Sequence, residues 1–235
     1  LTKELWYRPE VFEDEDLDAI RDDLRFQACI KQSEVRYLEA IKTAKTECTW
    51  TEKTHNHLIL SLHGNQQNNE INKSHWHFLE DENYQVVYLQ SSELDSCNLF
   101  RWEADGTGPS QLKDTLTQID WHRYEETTLC GFSAGCNVIL RAINENEVSC
   151  NKIILQSPWI PIVENDISKL IEALKRADTK VRMICGNNDE DCFLQCKTFE
   201  TLALEHNIDI KAVYIEGLGH DYPEHFQEIV RDFLN

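Results

Sequence analysis

The chain is short of several things at once. Its 235 residues hold one methionine, five prolines and eight glycines, and only 23 Lys and Arg stand against 42 Asp and Glu. The net charge of −19 excludes nucleic acid or an anionic membrane surface as the main partner. Both are bound through basic clusters, and no Lys/Arg cluster interrupts the acidic balance. No apolar run approaches the ~20 residues that a bilayer crossing takes, and no basic-then-apolar signal segment opens the sequence. There is no internal repeat and no low-complexity tract. What is left is a globular protein suited to a neutral or weakly charged small molecule.

Cysteine is the exception, at nine residues. Cys130 and Cys185 lie in apolar, strand-like runs, where a free thiol behaves as a small hydrophobe. With 41% apolar residues the chain can bury an ample core without covalent staples, so a reducing, cytoplasmic setting is expected. Cys192 and Cys196 can share a helix face, yet no second pair or well-spaced histidines complete a zinc set. No metal and no organic cofactor is expected.

Two parts are distinguished: residues 1–55, a helical extension, and 56–235, the main α/β domain. In "FEDEDLDAIRDDLRFQACI" Leu17, Ile20, Leu24 and Ala28 fall at helical spacing, with acids in the first turn as the helix dipole prefers. "SEVRYLEAIKTA" reads as a second helix, capped by Ser33 and burying Leu38 and Ile41. Such an extension is expected to pack on the main domain, to mediate homo-oligomer formation, or to overhang a site.

From residue 57 the pattern becomes regular. Apolar runs at 58–62, 84–89, 127–132, 152–157, 180–185 and 211–216 are mostly continuous, as in strands buried on both faces. Helical patterns fall between and after them, at 74–82, 110–120, 134–144, 165–177, 192–206 and 223–234. Strand–helix alternation predicts right-handed crossovers and a doubly wound, mostly parallel sheet, with the chemistry outside the carboxyl ends of the strands.

"LCGFSAGCN" (129–137) lies where a strand becomes a helix. A serine on a strained strand–turn–helix elbow needs small neighbours, and Gly131 and Gly135 bracket Ser133 at two residues either side. A serine nucleophile needs an imidazole to take its proton. His220, in "IEGLGHDYPEHF", follows the last strand on a loop that Gly217 and Gly219 let bend. His225 is placed inside the following helix. The acid should follow the preceding strand, where "CGNNDEDC" offers Asp189 and, as an alternative, Asp191. The order Ser, Asp, His is the one this architecture uses. An oxyanion hole needs two backbone N–H groups. Ala134 supplies one; "LHGNQQN" supplies the other from Asn65 or Gln66, with Gly64 permitting close approach and His63 taking no proton-transfer role.

"LHGNQQN", "GFSAG", "SPWIP" (157–161), "CGNND" and "GLGHDYP" together resemble the phospholipase/carboxylesterase family of α/β-hydrolases, which includes acyl-protein thioesterases and small carboxylesterases. The resemblance covers residues 58 to 234. It implies that Trp159 and Ile160 line the acyl pocket, bordered by His63 and Gly64. The loop after Gly64 is Asn/Gln-rich where the family commonly has another glycine, and residues 1–55 have no counterpart. The expectation is a serine esterase acting through an acyl-enzyme on small or acyl substrates. A thioesterase and a catalytically silent hydrolase fold used for binding are the alternatives.

Overall fold

The computed structural model describes residues 5–50 and 55–235. Nine strands are present among them: β1 (Glu47–Trp50), β2 (His57–Leu62), β3 (Tyr84–Gln90), β4 (Glu93–Ser96), β5 (Leu99–Arg101), β6 (Glu126–Phe132), β7 (Lys152–Gln156), β8 (Lys180–Gly186) and β9 (Ile210–Ile215). Seven helices accompany them: α1 (Leu24–Ala40), α2 (Asn69–Trp76), α3 (Gly108–Gln118), α4 (Ala134–Asn144), α5 (Ser168–Arg176), α6 (Phe193–Glu205) and α7 (Phe226–Leu234).

Seven strands form one sheet in the order β1-β3-β2-β6-β7-β8-β9. All pairings are parallel except that of β1, which runs antiparallel to β3. The six expected strands are all present. Their continuous apolar runs follow from burial on two sides. One face packs with α3, α4, α5 and α6 around Leu60, Leu129, Val138, Ile153 and Phe199. The other meets α2 and α7 around Ile59, Trp76, Ile154, Phe226 and Val230. The chain starts the parallel sheet at β2, adds β3 on one side, then returns to add β6 on the other. That reversal opens a crevice at the carboxyl ends of β2 and β6.

Residues 5–50 differ from expectation. Pro9–Glu13 and Glu15–Ile20 are short 3-10 turns, and a single α-helix then runs from Leu24 to Ala40. Asp23 caps it, its side chain accepting from the Arg25 amide. Ser33 is no cap. It is fully buried within the helix, where its hydroxyl accepts from the Tyr7 amide at 2.8 Å and donates to the Tyr7 carbonyl at 3.0 Å. No residue between Ala28 and Ser33 breaks a helix, so the two expected helices merge. Leu24, Leu38 and Ile41 are exposed rather than buried. β1 lies before residue 55 yet belongs to the main sheet.

β4 and β5 form a separate hairpin that was not expected. Tyr7 bridges to Ser96 on its β4 side, and Gln67 bridges to Phe100 on its β5 side. The hairpin thus lies between the N-terminal segment and the loop after β2.

Ser33→Ala removes both bonds to Tyr7 and leaves its amide and carbonyl short of partners. A loss of about 1–3 kcal/mol is expected, read as a lower midpoint in urea unfolding, with earlier proteolytic cleavage before residue 24.

Candidate active site

β6 ends at Phe132, and the next residue holds an uncommon backbone. Ser133 has φ 51° and ψ −119°, a region that costs an L-residue about 1–3 kcal/mol. Neighbouring atoms enforce it. The Ser133 amide donates to the Gln156 carbonyl at 3.0 Å, while the Ser133 carbonyl accepts from the amides of Cys136 and Trp159. The flanking glycines are required by contact. A Cβ on Gly131 would lie 2.9 Å from the Cys136 nitrogen, and one on Gly135 would lie 2.5 Å from the His63 carbonyl oxygen. The turn opens directly into α4, whose N-terminus favours developing negative charge.

His220 follows β9 and reaches back to the loop after β8. Its Nδ1 lies 2.8 Å from Asp189 Oδ2. Asp189 is 2% exposed, and its other oxygen accepts from the Cys192 amide at 3.1 Å. Of the two acids left open by the sequence, Asp189 is the one beside the imidazole; Asp191 is exposed. Gly186 is needed to bring the two loops together, because a Cβ there would sit 2.0 Å from the Leu218 carbonyl oxygen. His225 precedes α7 rather than lying within it, and its side chain is exposed beside Glu228.

The rings of Phe132 and His220 lie 5.0 Å apart, so the imidazole sits over the residue next to Ser133. Among the described residues no hydrogen bond joins the Ser133 hydroxyl to His220 directly. Such contacts commonly tighten only when substrate binds. Gln156 was missed by the sequence reading and ties the two parts together. Its carbonyl holds the Ser133 amide, and its fully buried side chain donates to the Asp221 carbonyl at 2.7 Å. A polar residue closing an apolar strand was the available signal.

The loop after β2 abuts the elbow. A Cβ on Gly64 would come within 2.5 Å of the Phe132 ring and 3.2 Å of Ser133 Cβ. Among the described residues, the amides of Asn65 and Ala134 donate to no protein group. The Asn65 side chain instead accepts from the Trp102 amide at 2.8 Å, which fixes the loop. His63 stands behind it, fully buried, and is no pocket wall. Its Nδ1 contacts the Gly64 carbonyl at 2.6 Å, its Nε2 accepts from the Ser91 amide at 3.1 Å, and its ring stacks on Trp102. Burial pushes its pKa down to about 4. The imidazole is therefore neutral and structural. Of the pair expected to line an acyl pocket, Trp159 is half-buried, whereas Ile160 is fully buried in the core.

The fold has many counterparts among solved structures. An uncharacterised protein from Bacillus cereus matches 97% of this chain and 75% of its own at 28% identity, with a TM-score of 0.73. That share has to include most of the segment before β2. A carboxylesterase from Mesorhizobium loti matches 77% of this chain and 90% of its own at 17% identity and a TM-score of 0.60. Acyl-protein thioesterase 2 from Zea mays matches 81% and 97% at 16% identity and 0.53. No protein-family model and no curated protein sequence matches the chain. The fold is the α/β-hydrolase fold that the carboxylesterase and the thioesterase also have. Among the described residues no helix is long and apolar enough to cross a membrane.

The buried, neutral His63 makes stability depend on pH. In the unfolded chain it binds a proton near pH 6.5; folded, only near 4. Its contribution is complete above about pH 6.5 and is lost as pH falls toward 4, to a total of about 3 kcal/mol. Urea unfolding of the native chain is expected to weaken by that amount across the window. His63→Gln should flatten the slope; an unchanged slope would remove His63 as its source.

Proposed function

We propose that this protein is a serine hydrolase of carboxylic esters, with residues 56–235 as its catalytic unit. Ser133 attacks the acyl carbonyl while His220 Nε2 takes the hydroxyl proton. Asp189 holds the proton on His220 Nδ1 and stabilises the imidazolium that forms. The oxyanion of the tetrahedral intermediate rests on the amides of Ala134 and Asn65. His220 then protonates the leaving alcohol, and water clears the acyl-enzyme by the same route. No step calls for a metal or organic cofactor.

One observation carries the reading. A buried carboxylate and an imidazole, from the loops after β8 and β9, are hydrogen-bonded on the rim where Ser133 holds its strained backbone. Neither the strain nor the burial of Asp189 is cheap, and a structural role would not need both. The esterases and thioesterase that share the fold lend support. The substrates proposed are small or acyl esters, bound where Asn65 and the half-buried Trp159 flank the serine. The nine cysteines are free, in keeping with a cytoplasmic setting.

A fluorophosphonate probe is expected to label Ser133, and Ser133→Ala to abolish both labelling and ester turnover. Folded protein that resists the probe would favour a silent fold used for binding. Asp189→Asn should reduce kcat by roughly 10³–10⁴-fold, while Asp191→Asn should leave it within about twofold, since Asp191 faces solvent. Equal losses would unseat Asp189. p-Nitrophenyl esters of graded length run beside acyl-CoA thioesters separate esterase from thioesterase.

Gln156 is a positioning residue in this scheme. Gln156→Met keeps the volume but cuts the side-chain tie to the His220 loop. We expect kcat to fall by about tenfold with KM little changed, in line with a displaced base. A change confined to KM, or to thermal stability, would count against it.

A further inference from the structure

Behind His220 the fold assembles a donor set that chain order conceals. Asp189, Cys192 and His220 each offer one metal-binding atom, and these atoms lie within 4.8 Å of one another. Cys192 Sγ is 3.6 Å from His220 Nδ1, the same nitrogen that faces Asp189 Oδ2 at 2.8 Å. No metal was expected from Cys192 and Cys196, which share a helix face without completing a donor set; the fold instead groups Cys192 with a carboxylate and an imidazole from two strand-end loops.

A tetrahedral zinc bound about 2.3 Å from sulfur and about 2.0 Å from nitrogen and oxygen sets an S···N edge of about 3.5 Å and an N···O edge of about 3.3 Å. The S···N edge already has that length. The N···O edge needs the imidazole and carboxylate to separate by about half an ångström, as follows once no proton lies between them, and the third edge, S···O, lies within 4.8 Å and would close to about 3.5 Å around the ion. A thiolate and a carboxylate together neutralise a dication, which suits a site whose Asp189 and Cys192 are both almost fully buried. Without metal, burial keeps the thiol protonated and unreactive.

We propose that Asp189, Cys192 and His220 form an inhibitory site for a thiophilic divalent cation of the zinc type. Its effect on turnover rests on the serine-hydrolase reading; its binding does not. On metal entry the Cys192 thiol releases its proton to solvent, and the sulfur becomes a ligand. His220 gives its Nδ1 lone pair to the metal, so the imidazole's one proton resides on Nε2. An Nε2–H cannot accept the proton of Ser133. The ion thus fixes the wrong tautomer and occupies the carboxylate that would stabilise the imidazolium. The His220 side chain is 35% exposed, so the ion approaches from its side and a water completes four-coordination. Hard cations such as magnesium, which prefer oxygen ligands, are excluded by the sulfur and nitrogen donors.

The test uses the full chain and cobalt(II) as a spectroscopic stand-in. One equivalent is expected to give a near-ultraviolet thiolate-to-cobalt band and the intense visible bands of a tetrahedral ion. Ser133→Ala should retain them, and Cys192→Ala and the near-isosteric Cys192→Ser should lose them. Zinc should inhibit ester turnover reversibly, with EDTA restoring it and magnesium without effect. Relative to each variant's own uninhibited rate, zinc should act more than a hundredfold more weakly on either Cys192 variant, beyond the ~10–100-fold that outer-layer changes cost. Cobalt bands that survive in both Cys192 variants, or zinc that inhibits them as strongly as the native chain, would overturn the site. Cobalt bound through Cys192 with turnover untouched by zinc would overturn the inhibition. A chain that lacks esterase activity but shows the bands would count against the hydrolase reading alone.

Discussion

Ser133 is held where an L-residue resists being held, and most of the surrounding structure follows from keeping it there. Its amide is claimed by Gln156 at the end of β7, and its carbonyl by Cys136 and Trp159. Three elements therefore fix one residue. Gly131 and Gly135 are the local condition for this, since each faces backbone atoms at distances no side chain tolerates. If the strain costs about 1–3 kcal/mol, three hydrogen bonds at about 1 kcal/mol each are enough to offset it.

The same geometry explains why three distant parts of the chain converge. β2, β6 and β7 are adjacent and in parallel register, with Leu62 opposite Gly131 and Phe132 opposite Gln156. Their carboxyl ends therefore finish at one level. The loop after β2 arrives beside the elbow because β2 pairs with β6. The imidazole arrives because Gln156 also grips the loop after β9. Parallel pairing sets the level, and Gln156 joins the elbow to the loop after β9, its carbonyl holding the Ser133 amide and its side chain the Asp221 carbonyl.

The parts of this arrangement legible in the sequence are those whose cause is local. Continuous apolar runs marked six strands, because burial on both faces leaves no polar alternation. The small residues around Ser133 and the positions of Asp189 and His220 after their strands could be read for similar reasons. What escaped depends on partners far along the chain. β1 is only Glu-Cys-Thr-Trp and becomes a strand by pairing with β3. Ser33 looked like a cap, whereas its hydroxyl serves Tyr7, twenty-six residues away. Leu24 and Leu38 are apolar and exposed, so periodicity alone overstated what α1 buries. Ile160 lies where the motif leads one to look for a pocket wall, yet its side chain is core. Cys192 gave no hint in its spacing, because its histidine lies twenty-eight positions on.

The β4–β5 hairpin has neighbours on both flanks. On one, Tyr7 bridges to Ser96, and the amides of Arg8 and Cys97 bond to the carbonyls of Asp95 and Trp6. On the other, the Phe100 amide bonds to the Gln67 carbonyl, while the next turn presents Trp102 to Asn65 and His63. The start of the described chain and the loop after β2 are thus outer members of one small ladder. A protease that nicked the polypeptide near residue 10, or a partner that drew residues 5–8 away, would strip one rail from that ladder. The disturbance would travel two rungs to the amide of Asn65 without touching the main sheet.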